Sequence, residues 1–580
     1  MVMHALSKLI RTLGALGLAS TLVACDADEV APEPASEALV STAWLEANLG
    51  EDPLLVVDAR PTHEYLAGHI PGAISASFGE DEASSRGVYV SYGGGLDRFL
   101  DRHREIPFQD GDVAQIQRAL RAMGVRQDSL VVVYDAGGHF HAMRFAYTLE
   151  RHGFHRVVVL DGGIGKWVAD GGDLSTAIPE VAPGDVTLTS PSPSMVATTD
   201  EVVLALSAPD AKVITSLWTT WHYGSHLAYS RPGHIPGAIP LPLPYLYNPD
   251  GTVRPASQLR ALLDLSGVSP TDEIITYCGG NPLSAASYYI FKHVLDHPRV
   301  RVYEGALVAW LADPRDLPVH TYQHPRMLRD TDWVRWWAGH RIQTLLMDAP
   351  ALVIDVRPAA AYAAGHVPWA VNLPHANPTS ASVAAWASAL GAVGVSRDRE
   401  VVICDEGITP EATSLFWLLE HLGHPQVALC RDGVAGYEAQ GHTLSTDPTL
   451  IAEPQSWLDV AIHPQELVVE VNPRARLASP DGDPIHPAFP RLWVVASDHP
   501  PAADPPGAWA HVPWRDNLTE DGSLKDAGTL YALYESVGAP LFTEVIATGS
   551  TVEEATVTYF ALRTLGYPMV RVHAPGGPTP

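Results

Sequence analysis

The heptapeptide Gly-His-Ile-Pro-Gly-Ala-Ile occurs twice in this chain, at Gly68–Ile74 and at Gly233–Ile239, and a looser copy, Gly-His-Val-Pro-Trp-Ala-Val, runs from Gly365 to Val371. A phrase repeated at domain-sized intervals predicts a chain of repeated units. Each copy sits in a wider pattern. An apolar run of strand length precedes the first and third copies, followed by Asp-x-Arg and a short helical stretch: "LLVVDARPTHEYLAG" and "ALVIDVRPAAAYAAG". After each phrase come a helical segment, a second apolar run ("SLVVVYD", "EIITYC", "EVVIC"), a loop, an amphipathic helix and a third run ending at a Gly turn ("VVVLDGG", "VRVYEG", "VALCRDG"). Short β-branched runs alternating with helices predict parallel strands joined by helical crossovers. The Gly and Pro of the phrase set a tight turn. His69, His234 and His366 are expected to hydrogen-bond within that turn rather than bind metal, since each lacks a second ligand at metal spacing.

A fourth, eroded unit follows. "ELVVEVNPRAR" (Glu466–Arg476) matches the first strand, "PGAW" (Pro506–Trp509) the phrase, and "TEVIAT" (Thr543–Thr548) the loop strand. From Gly233 to Cys278 is 45 residues, and so is the step from position 503, where this unit would carry that glycine, to Thr548.

This set of motifs resembles the rhodanese family, and the first two units most resemble the tandem thiosulfate or 3-mercaptopyruvate sulfurtransferases. The resemblance implies an α/β protein of four rhodanese-like domains, each a parallel five-stranded sheet flanked by helices. Their expected limits are 39–180, 195–322, 335–447 and 455–577. It also implies sulfur chemistry at the end of the second strand, where a cysteine opens a loop whose N–H groups face inward and a helix begins. Such a loop favours thiolate over thiol and would hold a persulfide.

The expected occupants of that position are Asp135, Cys278, Cys404 and Thr548. A carboxylate or a hydroxyl cannot carry sulfane sulfur, so units one and four are expected to be inert. In unit two, Gly279 and Gly280 would let the backbone curl around Cys278, Asn281-Pro282 would start the helix, and the N–H groups from Gly279 to Leu283 would form an anion cradle. This loop has no Arg or Lys where many relatives carry one, and Asp-x-Arg is replaced by "ITSLWTTW"; Arg231 is the candidate substitute cation. In unit three, Gly407 and Thr409 match the C-x-x-G-x-T spacing of active members, which makes Cys404 a second catalytic candidate. Asp405 and Glu406 beside it are expected to raise its pKa and repel an anionic donor. Cys430, where unit one has Leu160, reads as a core residue.

The remaining features bound the setting. The net charge of −29 disfavours a nucleic-acid partner, and four cysteines in 580 residues are no disulfide scaffold. Lys8 and Arg11 precede the apolar stretch Leu13–Ala24, and "LVAC" (Leu22–Cys25) resembles a bacterial lipobox, so residues 1–24 read as a lipoprotein signal peptide and 25–38 as an acidic tether. The expected protein is an exported, periplasm-facing lipoprotein of the cell envelope, lipidated at Cys25. It would move sulfur from a small sulfur-containing anion to a thiophilic acceptor with no cofactor or metal. The alternative is a non-catalytic rhodanese-repeat binding protein at the envelope.

Overall fold

The computed structural model describes residues 38–76, 100–101, 109–138, 140–226, 229–338, 351–375, 377–449 and 482–574, together with 467, 469, 471–472 and 475–479. Cys25 and the leader lie outside these residues. Four separate parallel sheets follow one another along the chain. From edge to edge, sheet one runs Leu39–Val40, Val157–Leu160, Leu130–Tyr134, Leu54–Asp58, Ile74–Ser75. Sheet three repeats that order with Leu328–Arg329, Val427–Cys430, Glu400–Cys404, Ala351–Asp355 and Val371–Asn372. The strand that leads into each loop is central, which suits its unbroken apolar run.

Sheets two and four have four strands each rather than the expected five. Their missing edge survives as single parallel bridges, Val196 to Val302 and Leu477 to Val572. In unit two a 3-10 turn at Pro193–Met195 runs directly into Val196, as Pro325–Met327 runs into Leu328–Arg329 in unit three. The first strand of unit four is Arg491–Val495, paired in parallel with Glu544–Thr548, and not the stretch from Glu466 to Arg476. The Val-rich run at 466–471 is more strand-like in composition, but Arg491–Val495 is the segment that the loop strand can pair with.

The repeated phrase is a clasp. Its histidine forms an antiparallel bridge to the segment that closes the same unit: His69 to Ser175, His234 to His320, His366 to Ser445. Each imidazole is buried, and its Nδ1 bonds a carbonyl of the preceding helix: Tyr65 (2.8 Å) and Tyr362 (2.9 Å), four residues upstream, and His222 (2.8 Å), twelve upstream. The histidines thus bond the preceding helix and, for His69 and His366, the closing segment (Ala177 and Asp447 carbonyls, both 3.1 Å), rather than within the turn as expected. In units one and three the Asp-x-Arg arginine reinforces the clasp, Arg60 donating to the Gly68 carbonyl and Arg357 to that of Gly365, both at 2.7 Å. The turn needs a left-handed residue, Gly72 (φ +79) and Gly237 (φ +79); the third copy forces Trp369 there (φ +70), at a cost of about 1–2 kcal/mol.

The units associate in pairs through the helices that follow their loops. His141–Arg151 of unit one packs on Pro282–Tyr289 of unit two, and Pro410–His421 of unit three on Val552–Thr564 of unit four. Tyr147 meets Tyr288 edge-on (5.1 Å between ring centres) and Phe416 meets Phe560 likewise (4.9 Å). Units two and four also touch: Thr219 donates to the Tyr531 hydroxyl (2.8 Å), and the Tyr223 and Tyr531 rings stack. No helix among the described residues is long and apolar enough to cross a membrane.

Candidate active site

Strand register decides which residue of each loop stands where Cys278 does. The carbonyls of Tyr134, Tyr277, Cys404 and Thr548 all accept a hydrogen bond from the residue just after the neighbouring first strand: Ala59 (2.8 Å), Ser216 (2.8 Å), Val356 (3.1 Å) and Ala496 (2.6 Å). One residue on, the carbonyls of Asp135, Cys278 and Asp405 accept from Ile164 (2.8 Å), Leu307 (2.9 Å) and Val434 (2.8 Å). The equivalent residues are therefore Asp135, Cys278, Asp405 and Gly549. Cys404 and Thr548 correspond to Tyr277, one position too early. A one-residue offset along a strand turns a side chain to the opposite face. Cys404 accordingly packs into a core with Val353, Ala428, Cys430 and Tyr437.

Cys404 and Cys278 are both fully buried, so it is strand register and not burial that sets them apart. A hydrogen bond with the Cys430 thiol, burial and the Asp355 carboxylate push the Cys404 pKa well above the ordinary thiol range. Asp405 and Glu406, expected to be the cause, are engaged elsewhere. Glu406 pairs with Arg357 at 3.2 Å. Asp405 accepts its neighbour's N–H, from Glu406 (2.8 Å), and the Thr409 hydroxyl (2.5 Å). Thr409 caps the helix as expected, accepting from the Ala412 N–H at 3.1 Å. Gly407 serves a close approach: a Cβ there would lie 3.2 Å from the carbonyl oxygen of Gly522.

That approach marks a feature the sequence reading missed. Two Asp-Gly hairpins, at Asp250-Gly251 and Asp521-Gly522, reach from the second unit of each pair onto the loop of the first. Gly138 N–H donates to Gly251 O (2.9 Å), and Ile408 N–H to Gly522 O (3.1 Å). The loops of units one and three are thus covered alike. The signal was available in the sequence, since the two Asp-Gly turns precede Cys278 and Gly549 by the same 27 residues.

An anion sits in three of the loops. The Asp135 carboxylate accepts N–H groups of Gly137 (2.9 Å) and Ala142 (3.0 Å). Asp405 is held as above. Gly549 has no side chain, and Glu554 reaches back to fill its loop, accepting from the N–H of Ser550 (2.8 Å) and of Thr551 (3.3 Å). Only in unit two do the donors meet sulfur: Asn281 N–H lies 3.1 Å from the Cys278 Sγ, and the Ser284 hydroxyl 3.7 Å from it.

The Cys278 loop is closed differently from the expectation. Pro282 has no N–H, and the backbone donor on the sulfur is Asn281. Gly279 is needed less for curling than for space, because a Cβ there would come within 1.6 Å of the Tyr229 hydroxyl. Gly280 is half-buried beside it. Tyr229 meets Trp221 edge-on (5.6 Å), and Trp221 stacks on His226 (5.1 Å), giving an aromatic roof over the loop. Arg231 does not serve as the loop cation, being tied to Asp316 (3.1 Å) and to the Leu317 carbonyl (2.9 Å).

A family model for the rhodanese-like domain matches residues 41–170, 223–313 and 340–440, more than half of the chain. The chain belongs to the rhodanese family. Unit four lies outside the matched residues and shares the parallel strand order. Among similar proteins, the 3-mercaptopyruvate sulfurtransferase of Escherichia coli is 30% identical over 294 residues, covering 48% of this chain and 96% of the relative. The thiosulfate sulfurtransferase of Azotobacter vinelandii is 30% identical over 281 residues, with 48% and 96% covered. A crystal structure of a 3-mercaptopyruvate sulfotransferase from Escherichia coli aligns over 46% of this chain and 98% of its own, at 28% identity and a TM-score of 0.40. The two sulfurtransferases, matched over nearly their whole length, put this rhodanese in the sulfurtransferase class of its family.

Proposed function

We propose that this rhodanese is a single-site sulfurtransferase with Cys278 as its sulfur carrier. The observation that carries this reading is that, of the four equivalent loop positions, one alone offers a thiol to inward-facing N–H groups. The Cys278 thiolate attacks the outer sulfur of thiosulfate or the sulfur of 3-mercaptopyruvate. The S–S or C–S bond breaks, sulfite or (after protonation) pyruvate leaves, and Cys278 holds a persulfide. Cyanide or a thiolate then takes the terminal sulfur and the Cys278 thiolate returns. Covalent transfer in two halves gives ping-pong kinetics. The Asn281 N–H steadies the anionic sulfur in both halves.

Incubation with either donor should add one sulfur atom per chain, on the peptide containing Cys278, and cyanide should remove it as thiocyanate. A persulfide on Cys404 or Cys430, or none on any cysteine, would sink this reading. The leader supports export and lipidation at Cys25. On that reading Cys25→Ser moves the protein from the membrane pellet to the soluble fraction, and unchanged membrane fractionation would count against it.

A further inference from the structure

Unit one has no thiol, yet its loop helix reaches the sulfur site. Asn281 adopts φ +93, a left-handed conformation that residues other than glycine seldom take. It is fully buried, and its N–H lies 3.1 Å from the Cys278 sulfur. Its side chain does not cap the following helix. Instead Nδ2 donates to Glu304 Oε1 at 3.3 Å. The same carboxylate oxygen accepts from Arg151 Nη1 (2.8 Å) and the Tyr147 hydroxyl (3.1 Å), both on the loop helix of unit one. Gln109, also of unit one, donates to the Glu304 carbonyl at 2.7 Å. Arg151 is braced in turn by Asp110 (2.9 Å), which also holds Arg144 (2.9 Å) and Thr148 (2.8 Å).

We propose that Glu304 is a positioning residue, set in place by Arg151 and Tyr147 of unit one, that keeps the Asn281 N–H aimed at the Cys278 sulfur. The role presupposes Cys278 as the sulfur carrier. An N–H fixed on sulfur stabilises thiolate and persulfide over their protonated forms. The thiol-less unit thereby tunes the reactive one across their interface. Around Glu304 the charged and titratable groups are Arg151, Arg144, Asp110 and Tyr147, with His152 beside Asp110; Tyr277 and Tyr229 flank the Cys278 loop. Glu304 is itself an anion near the thiol, so its charge alone would oppose thiolate formation. Positioning and bare charge therefore predict opposite signs.

The test is the pH dependence of Cys278 alkylation in the full chain, followed by mass spectrometry of the Cys278 peptide. Glu304→Ala should raise the alkylation midpoint by about one pH unit, roughly a ten-fold loss of rate on the acid side. Glu304→Gln keeps an oxygen for Asn281 without the charge and should leave the midpoint in place or lower it. Asn281→Gly tolerates the backbone angle and loses the tether, so it should shift the midpoint upward by itself, with no further rise when Glu304→Ala is added. An unmoved midpoint in Glu304→Ala and Asn281→Gly, or a fall in both Glu304 variants, overturns the proposal. Asn281→Gly decides the matter if Glu304→Ala fails to fold. Sulfur loading of the wild type is a separate reading: a protein whose Cys278 takes no sulfur refutes the carrier role, while the midpoints still report on positioning.

Discussion

Replacing Cys278 with serine should lower thiocyanate formation by at least about 1,000-fold, the scale on which removal of a covalent nucleophile acts. Cys404→Ala should leave the rate at the wild-type level. The contrast follows from register rather than motif. Cys278 follows its strand and meets the Asn281 N–H, whereas Cys404 ends its strand and faces a buried apolar core. Serine keeps the size of the side chain and can accept the same hydrogen bond, but it forms no persulfide. Steady-state thiocyanate assays with both donors measure the effect. Appreciable turnover by the Cys278→Ser protein would mean that sulfur travels by another route. A comparable loss in Cys404→Ala, with unfolding excluded by circular dichroism, would mean that the loop of unit three opens in solution.

Asp110→Ala should destabilise the pair formed by units one and two by about 3–5 kcal/mol, the usual cost of leaving a buried charge without its partner. Arg144 has no exposed side-chain surface, and Asp110 is its carboxylate at 2.9 Å. The other Asp110 oxygen holds Arg151 at 2.9 Å. In a segment of this size the first thermal transition should fall by roughly 5–15 °C. Desolvation opposes the charge on Asp110, but Arg144, His152 and Arg151 outweigh it and hold the carboxyl far below the ordinary carboxylate range. A depressed carboxylate contributes its full stability above its unfolded pKa and loses it as pH falls toward the folded value. The gap between wild type and variant should therefore be constant at neutral pH and narrow well below pH 4, where the unfolded chain protonates first. Scanning calorimetry across that range is the measurement. A gap under about 1 kcal/mol would mean that solvent reaches Arg144 and the pair is effectively exposed.

Several things were legible in the residues alone. The repeated phrase announced repeated units, because a turn of that type needs its Gly and Pro wherever the chain must clasp its own end. Apolar runs of strand length between helices announced parallel sheets. Cys278 stood out as a candidate too, since glycines after a cysteine that closes an apolar run are poor core material. The tertiary structure decided the rest. "VVIC" followed by Asp-Glu reads as well with the cysteine in the strand as beyond it, because hydrophobicity does not mark the last paired residue. Only hydrogen-bond register showed that Asp405, not Cys404, is the counterpart of Cys278. The fourth unit's first strand was likewise a choice between two apolar runs, settled by which one pairs with Glu544–Thr548. Covering of the first and third loops by Asp-Gly hairpins, and the reach of Arg151 through Glu304 to Asn281, join residues more than 100 positions apart. The equal spacing of the two Asp-Gly turns marks the hairpins, but what they and Arg151 touch exists only once two loop helices have packed face to face.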